Sequence, residues 1–178
     1  VKETWQVIFS GVGGQGLMLA GKLLGDAATG YEGKYAVMTS AYGVESRGTF
    51  AKSDCLISSS EIDYPEVLKP DVVIALAAVA YKKYAPLLAK GTVLLYDDSI
   101  EPLPSYAEQI CLPLAKIAKE AGNPLGINLV SLGVLVQQTG IVQELSVINA
   151  IKDEFAGREK QIMLNLQSFQ AGIRAKQI

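Results

Sequence analysis

The sequence predicts a three-layer α/β/α domain on a mostly parallel sheet. Three observations predict it. Strand-length apolar runs alternate with segments of helical period along the chain. Two of the runs, 71–76 and 92–97, are almost continuously apolar, as strands covered on both faces are. Four glycines fall within Gly11-Val12-Gly13-Gly14-Gln15-Gly16, between the first strand and the first helix.

Strand one covers 6–10, and a helix follows over 16–28. Leu17, Ala20, Leu24, Ala27 and Ala28 share one face of that helix at helical spacing. Gly21 and Gly25, four apart, predict a close approach to the sheet. Strand two spans 35–39, and turn formers fill the loop 42–48. Strand three, 49–58, sets Phe50, Lys52, Asp54 and Leu56 on one face. That mixture predicts a half-buried strand, near an edge or antiparallel to its neighbours. Strand 71–76 leads to a helix over 79–89 that stops before Gly91. Strand 92–97 is central, and 109–112 is the last, short strand. Pro113 opens a helix that runs to 121 and is broken by Gly122-Asn123-Pro124. The helix over 126–139 is apolar or small nearly all round, hence buried. Ser146 caps the helix to 155. Ile162, Leu166, Phe169 and Ile173 form the apolar stripe of the last helix. No repeat or linker divides residues 1–178, which read as a single domain.

The glycine turn follows a strand and opens a helix, with the spacing Gly-x-Gly-x-x-Gly of a Rossmann-like turn. Its backbone can be approached closely, and the following helix aims free N–H groups and a positive dipole end at the same spot. A dinucleotide fold also needs an acid at the end of strand two, for the ribose hydroxyls. That end reads Thr39-Ser40-Ala41-Tyr42, without an acid or an Arg. The fingerprint is half present. A turn that only packs helix on sheet and a functional turn of another kind stand level, ahead of NAD.

The 178 residues are 49% hydrophobic, enough for a core without disulfides. A net charge of −2 without a basic stripe excludes a nucleic-acid platform. The longest apolar run, Val72 to Tyr81, is far short of the roughly 20 residues of a membrane span. The first residues lack the layout of a signal peptide, so a cytoplasmic location is expected. The chain has no histidine and two separate cysteines, Cys55 and Cys111, both expected to be buried. Zinc-hydrolase and Ser-His-Asp chemistry are excluded, and so is an iron–sulfur cluster, which wants four thiolates. Asp97-Asp98 read as solvated turn residues, and Lys82-Lys83 as an exposed helix face.

Four segments, in order, carry a resemblance. They are Phe9-Ser10-Gly11-Val12-Gly13-Gly14-Gln15-Gly16, Tyr42-Gly43-Val44-Glu45-Ser46-Arg47-Gly48, Ser58–Pro65 with its Ile62-Asp63-Tyr64-Pro65, and Asn128-Leu129-Val130-Ser131-Leu132-Gly133. Together they resemble the gamma subunit of the 2-oxoacid:ferredoxin (acceptor) oxidoreductases, across nearly the whole chain. Those enzymes oxidatively decarboxylate pyruvate, 2-oxoglutarate or branched 2-oxoacids onto coenzyme A. One departure is Arg47-Gly48-Thr49, where many members read Arg-Gly-Gly, so ligand geometry at that turn is not carried over. The resemblance implies that this chain alone holds no cofactor and is inert. Thiamine diphosphate, Mg²⁺ and the iron–sulfur clusters then belong to alpha, beta and delta partners, and ferredoxin accepts the electrons. It further implies contact with coenzyme A or a partner through Gly11, Gly13, Gly14, Gln15, Gly16, Tyr42, Gly43, Glu45, Ser46, Arg47, Gly48 and Asn128.

Each of these residues also has a plainer role. Arg47 offers a guanidinium fork to a phosphate or carboxylate, or pairs with Glu45 in the loop. Tyr42 stacks on an adenine or packs beneath the loop. Gln15 caps the turn or reaches across an interface. Asn128 gives a polar contact at the carboxyl edge of the sheet or caps its own helix. The turn and the loop both follow strands and are expected on one shared face at that edge. Two other readings remain, a Rossmann-type nucleotide-binding enzyme and a stand-alone module for an anionic metabolite.

Overall fold

The computed structural model describes residues 2–42 and 49–176. Six strands form one sheet. They are β1 (Thr4–Val12), β2 (Tyr35–Tyr42), β3 (Phe50–Ser58), β4 (Val72–Ala75), β5 (Val93–Asp97) and β6 (Glu108–Leu112). Their order across the sheet is β2-β3-β1-β4-β5-β6. The pairs β1–β4, β4–β5 and β5–β6 are parallel. β3 alone runs backwards, antiparallel to both β1 and β2.

The two-residue period of the strands sorts their apolar side chains between two cores. Val7, Phe9, Val72, Ile74 and Leu95 enter a large core with α1 (Leu17–Glu32), α3 (Leu114–Glu120), α4 (Ile127–Thr139) and α5 (Glu144–Glu154). Ile8, Val73, Ala75, Leu94 and Tyr96 face a smaller one under α2 (Ala78–Tyr84) and the segment from Ile100 to Ala107. The result is three layers, with most helices on one side. α6 (Glu159–Arg174) lies along α4, and its Phe169 enters the large core. A side chain at Gly133 would meet the carbonyl oxygen of Phe169, and one at Gly172 that of Val130. The two helices thus cross backbone to backbone, and Asn128 through Val136 of α4 are buried.

Several local expectations are corrected. β3 is antiparallel as its mixed pattern predicts, yet it is buried along most of its length, because β1 and β2 flank it and α1 covers it. α2 ends at Tyr84 rather than 89, since Pro86 has no N–H to continue the ladder. Ser146 is not the cap of α5. That helix starts at Glu144, and the amide of its N-cap, Gln143, is taken by Glu32 Oε1 from the end of α1. Cys111 is exposed, whereas Cys55 is buried and its thiol is pushed up to about 12 by that burial. Asp97 is not solvated. It is buried and accepts from the amides of Ser99 and Ala115, so it caps α3 from the end of β5. Among the described residues, no helix is long and apolar enough to cross a membrane.

Candidate functional site: the glycine-turn cleft

β1 delivers its last residues to the carboxyl edge of the sheet, where the chain must turn sharply into α1. The turn is stapled by Gln15. Its Oε1 accepts from the Val12 amide at 2.9 Å, and its Nε2 donates to the Leu76 carbonyl at 2.9 Å. One side chain thus closes the turn and ties it to the end of β4. Gly11 makes room for this, because a Cβ there would lie 2.2 Å from Gln15 Oε1.

Gly16 is the N-cap of α1 and sits at φ 70°, in the left-handed region. Its carbonyl accepts from Asn128 Nδ2 at 3.0 Å, across from the start of α4. A Cβ at Gly16 would lie 2.3 Å from that same nitrogen. Asn128 is therefore buried and joined to the turn rather than capping its own helix. Gly13 differs from its neighbours. No atom of the described residues stands within 4 Å of its missing Cβ, and its φ is not left-handed. The packing of the described residues does not call for glycine there.

An open cleft of about 320 Å³ lies over the turn, lined by Val12 through Met18 and by Ala51 and Lys52 of β3. Among the described residues α1 has no side-chain cap and no acid in its first turn, so its positive dipole end opens on the cleft. Lys52 also lines the cleft, with its charge already matched. Its ammonium pairs with Asp54 Oδ2, and Asp54 is 5% exposed with its other oxygen unpartnered among the described residues. Sequence reading missed Lys52, because its alternation in β3 marked only a strand face. The signal was Lys and Asp at i, i+2, side by side on one face of the strand.

The two expected parts of the site share this edge. β1 and β2 run the same way, and β3 starts where they end. The register sets Val12 opposite Phe50 and Tyr42 opposite Ala51. The ends of the loop thus flank the cleft. Gly43, Glu45, Ser46, Arg47 and Gly48, and the side chain of Tyr42, lie outside the described residues. Among the described residues no group of three or more Cys, Asp or Glu is placed to hold a metal.

Residues 6–175 match the family of the pyruvate ferredoxin/flavodoxin oxidoreductases. The chain belongs to that family. It is 39% identical to the 2-oxoglutarate synthase subunit KorC of Methanocaldococcus jannaschii, over 97% of this chain and 94% of that one. A keto/oxoacid ferredoxin oxidoreductase gamma subunit from Geobacter sulfurreducens superposes with a TM-score of 0.84 at 33% identity, covering 96% and 95% of the two chains. The 2-oxoglutarate:ferredoxin oxidoreductase of Magnetococcus marinus shares the fold, with a TM-score of 0.85 at 23% identity, this chain spanning 32% of the larger one. That structure holds 2-oxoglutarate, coenzyme A and succinyl-CoA. Within the family this chain is a gamma subunit of a 2-oxoacid:ferredoxin oxidoreductase, part of a multisubunit complex. A free-standing nucleotide-binding enzyme is not favoured.

Proposed function

We propose that this gamma subunit serves a complex acting on 2-oxoglutarate, and that its glycine-turn cleft receives the phosphates of coenzyme A at the boundary with partner subunits. Gly13 carries the reading. Its backbone is unstrained and none of the described residues crowds it, so their packing leaves its lack of a side chain to whatever approaches the turn. An anion suits the place, because the free N–H groups and positive dipole end of α1 open on it. The substrate class follows KorC of Methanocaldococcus jannaschii.

Thiamine diphosphate, Mg²⁺ and the iron–sulfur clusters sit in alpha, beta and delta partners on this reading, and ferredoxin takes the electrons from the complex. Residues 1–178 act as one gamma-type domain in the cytoplasm, inert alone. NAD is disfavoured on two counts. β2 ends in Thr39 and Ser40 without an acid, and β3 stands between β2 and β1, setting that end one strand away from the glycine turn.

The test uses the reconstituted complex. Gly13→Ala should leave the melting temperature of the subunit unchanged while raising the KM for coenzyme A about tenfold. Arg47→Ala should raise it too, by an amount worth a few kcal/mol if the guanidinium is desolvated and about 1 or less if exposed. Intact assembly with unchanged coenzyme A kinetics in both variants would return the turn to a packing role.

A further inference from the structure

Of residues 13–16, only Gln15 carries a side chain. Gly14 and Gly16, on either side of it, lie at φ 90° and 70°. Their amides donate to no group among the described residues. Glycine backbone turns easily, so the directions of these amides depend on whatever anchors the residue between them. The turn's own backbone bond, from the Gln15 amide to the Val12 carbonyl, is long at 3.3 Å. The Gln15 side chain makes two better ones at 2.9 Å, to the Val12 amide and the Leu76 carbonyl, and both ends of its amide group are spent there. Leu76 is itself well fixed, buried and with its amide on the Ser10 carbonyl at 2.8 Å. Gly11 completes the arrangement. It is buried, outside the described lining of the cleft, and a Cβ on it would stand 2.2 Å from Gln15 Oε1 and 3.3 Å from Cδ.

On the coenzyme A reading of the cleft, on which this rests, we propose that Gln15 is a positioning residue for that ligand. It does not touch the phosphates. It sets the directions of the Gly14 and Gly16 amides that receive them, and Gly11 is the space that lets it sit. A donor array already in place spares the ligand the ordering cost of assembling one. Asn128 secures the far end of the turn, holding the Gly16 carbonyl at 3.0 Å. Gln15 therefore has only the stretch between Val12 and Gly16 to fix, and two neutral bonds suffice for that. Gln15 and Gly11 act as one device, which can be undone from either side. Methionine at 15 keeps an unbranched chain of similar length and removes both bonds. Alanine at 11 keeps the glutamine but drives its oxygen from its seat, without adding an atom to the described lining of the cleft.

Steady-state kinetics of the reconstituted complex test it, with coenzyme A varied at saturating 2-oxoacid. Gln15→Met and Gly11→Ala should each raise the KM for coenzyme A about tenfold, with the KM for the 2-oxoacid within about twofold of wild type. The double variant should raise it no further, because residues acting through one contact are not additive. A double variant near the product of the two single effects overturns the proposal, since the residues then act separately. A glutamine that touched the ligand itself would keep its reach in Gly11→Ala, so an unchanged KM in that variant also overturns it. So does a lowered melting temperature in Gln15→Met with coenzyme A kinetics unchanged, which would leave Gln15 a packing role. Gly13→Ala, measured alongside, separates the two ideas. If it raises the KM and Gln15→Met does not, the cleft still receives coenzyme A and only the positioning role falls; if neither does, both fall. Should Gly11→Ala fail to assemble, Gln15→Met decides alone, a rise of about tenfold supporting the role and an unchanged KM refuting it.

Discussion

Gln15 and Asn128 hold the glycine turn, and these two, with Lys52 and Asp97, differ in how visibly they announced themselves. Gln15 was readable as the closure of its own turn, because a side-chain amide of that length reaches back three residues. Asn128 was visible only as a polar residue opening an apolar helix. Its partner, the Gly16 carbonyl, is far off in sequence, and no local pattern encodes that meeting. Asp97 was misjudged because charge was taken to mean solvent, and Lys52 was read only as part of a half-buried strand face. Asp97 is buried because two backbone amides satisfy it, and Lys52 lines the cleft while Asp54 neutralises it. Gly16 offers the sharpest test at this scale. Alanine there must hold a left-handed conformation, at about 1–2 kcal/mol, and must displace Asn128, losing a hydrogen bond worth about 1 kcal/mol. Gly16→Ala should therefore lower the stability measured by urea unfolding by about 2–3 kcal/mol, with the m-value unchanged. A loss below 0.5 kcal/mol, roughly the scatter of surface substitutions, would mean that the turn relaxes freely.

Among the elements, those whose signals are local came through. β4 and β5 stand out as apolar runs, and α4 as a helix without a polar side. The start of α5 did not, because its satisfying group comes from another element. Burial pushes the Glu32 carboxyl up, but hydrogen bonds from Lys34, the Gln143 amide and Ser146, together with the Lys34 charge, outweigh that and hold it below the usual range. The distances are 2.8 Å to Lys34 Nζ and 2.6 Å to the Gln143 amide. The end of α1, the start of β2 and the start of α5 meet in this knot. A carboxyl lowered in the folded state stabilises above its unfolded value of 4.5 and loses that contribution as pH falls through its folded value. Glu32→Gln should thus cost about 0.5–1 kcal/mol at pH 7, the scale of a partly exposed ion pair. The gap from wild type should close below pH 4.5. A gap that stays constant down to pH 3, well below the ordinary Glu value, would show that the carboxylate charge does not contribute.

At the level of the whole molecule, class and layers were legible, but strand order was not. The alternation of apolar runs with helices dictates a layered α/β architecture, yet nothing in β3 says that it will insert between β2 and β1. That insertion sets the sheet's character. It reverses one strand in a parallel array, moves β2 to the rim, and brings Ala51 and Lys52 beside the glycine turn.

The position of β1 also fixes the order in which the molecule can be built. β2 and β3 are joined by a short connection and can meet early, and β4, β5 and β6 follow one another with local crossovers. β1 is the bridge between these two halves. Its partners are remote on both sides, Thr4 with Ser58 and Val7 with Val72. Closing such separations costs chain entropy before any contact rewards it, and slow folding follows. The cleft at the end of β1 is then finished last. In pulse-labelled refolding, amides of β5 and of the β2–β3 pair should gain protection before those of Val7 to Ser10. Simultaneous or earlier protection of β1 would reverse that order. A chain stalled before this step would display two preformed half-sheets with raw inner edges, so the bridge strand is where synthesis is most exposed to misassembly and where a chaperone would have most to shield.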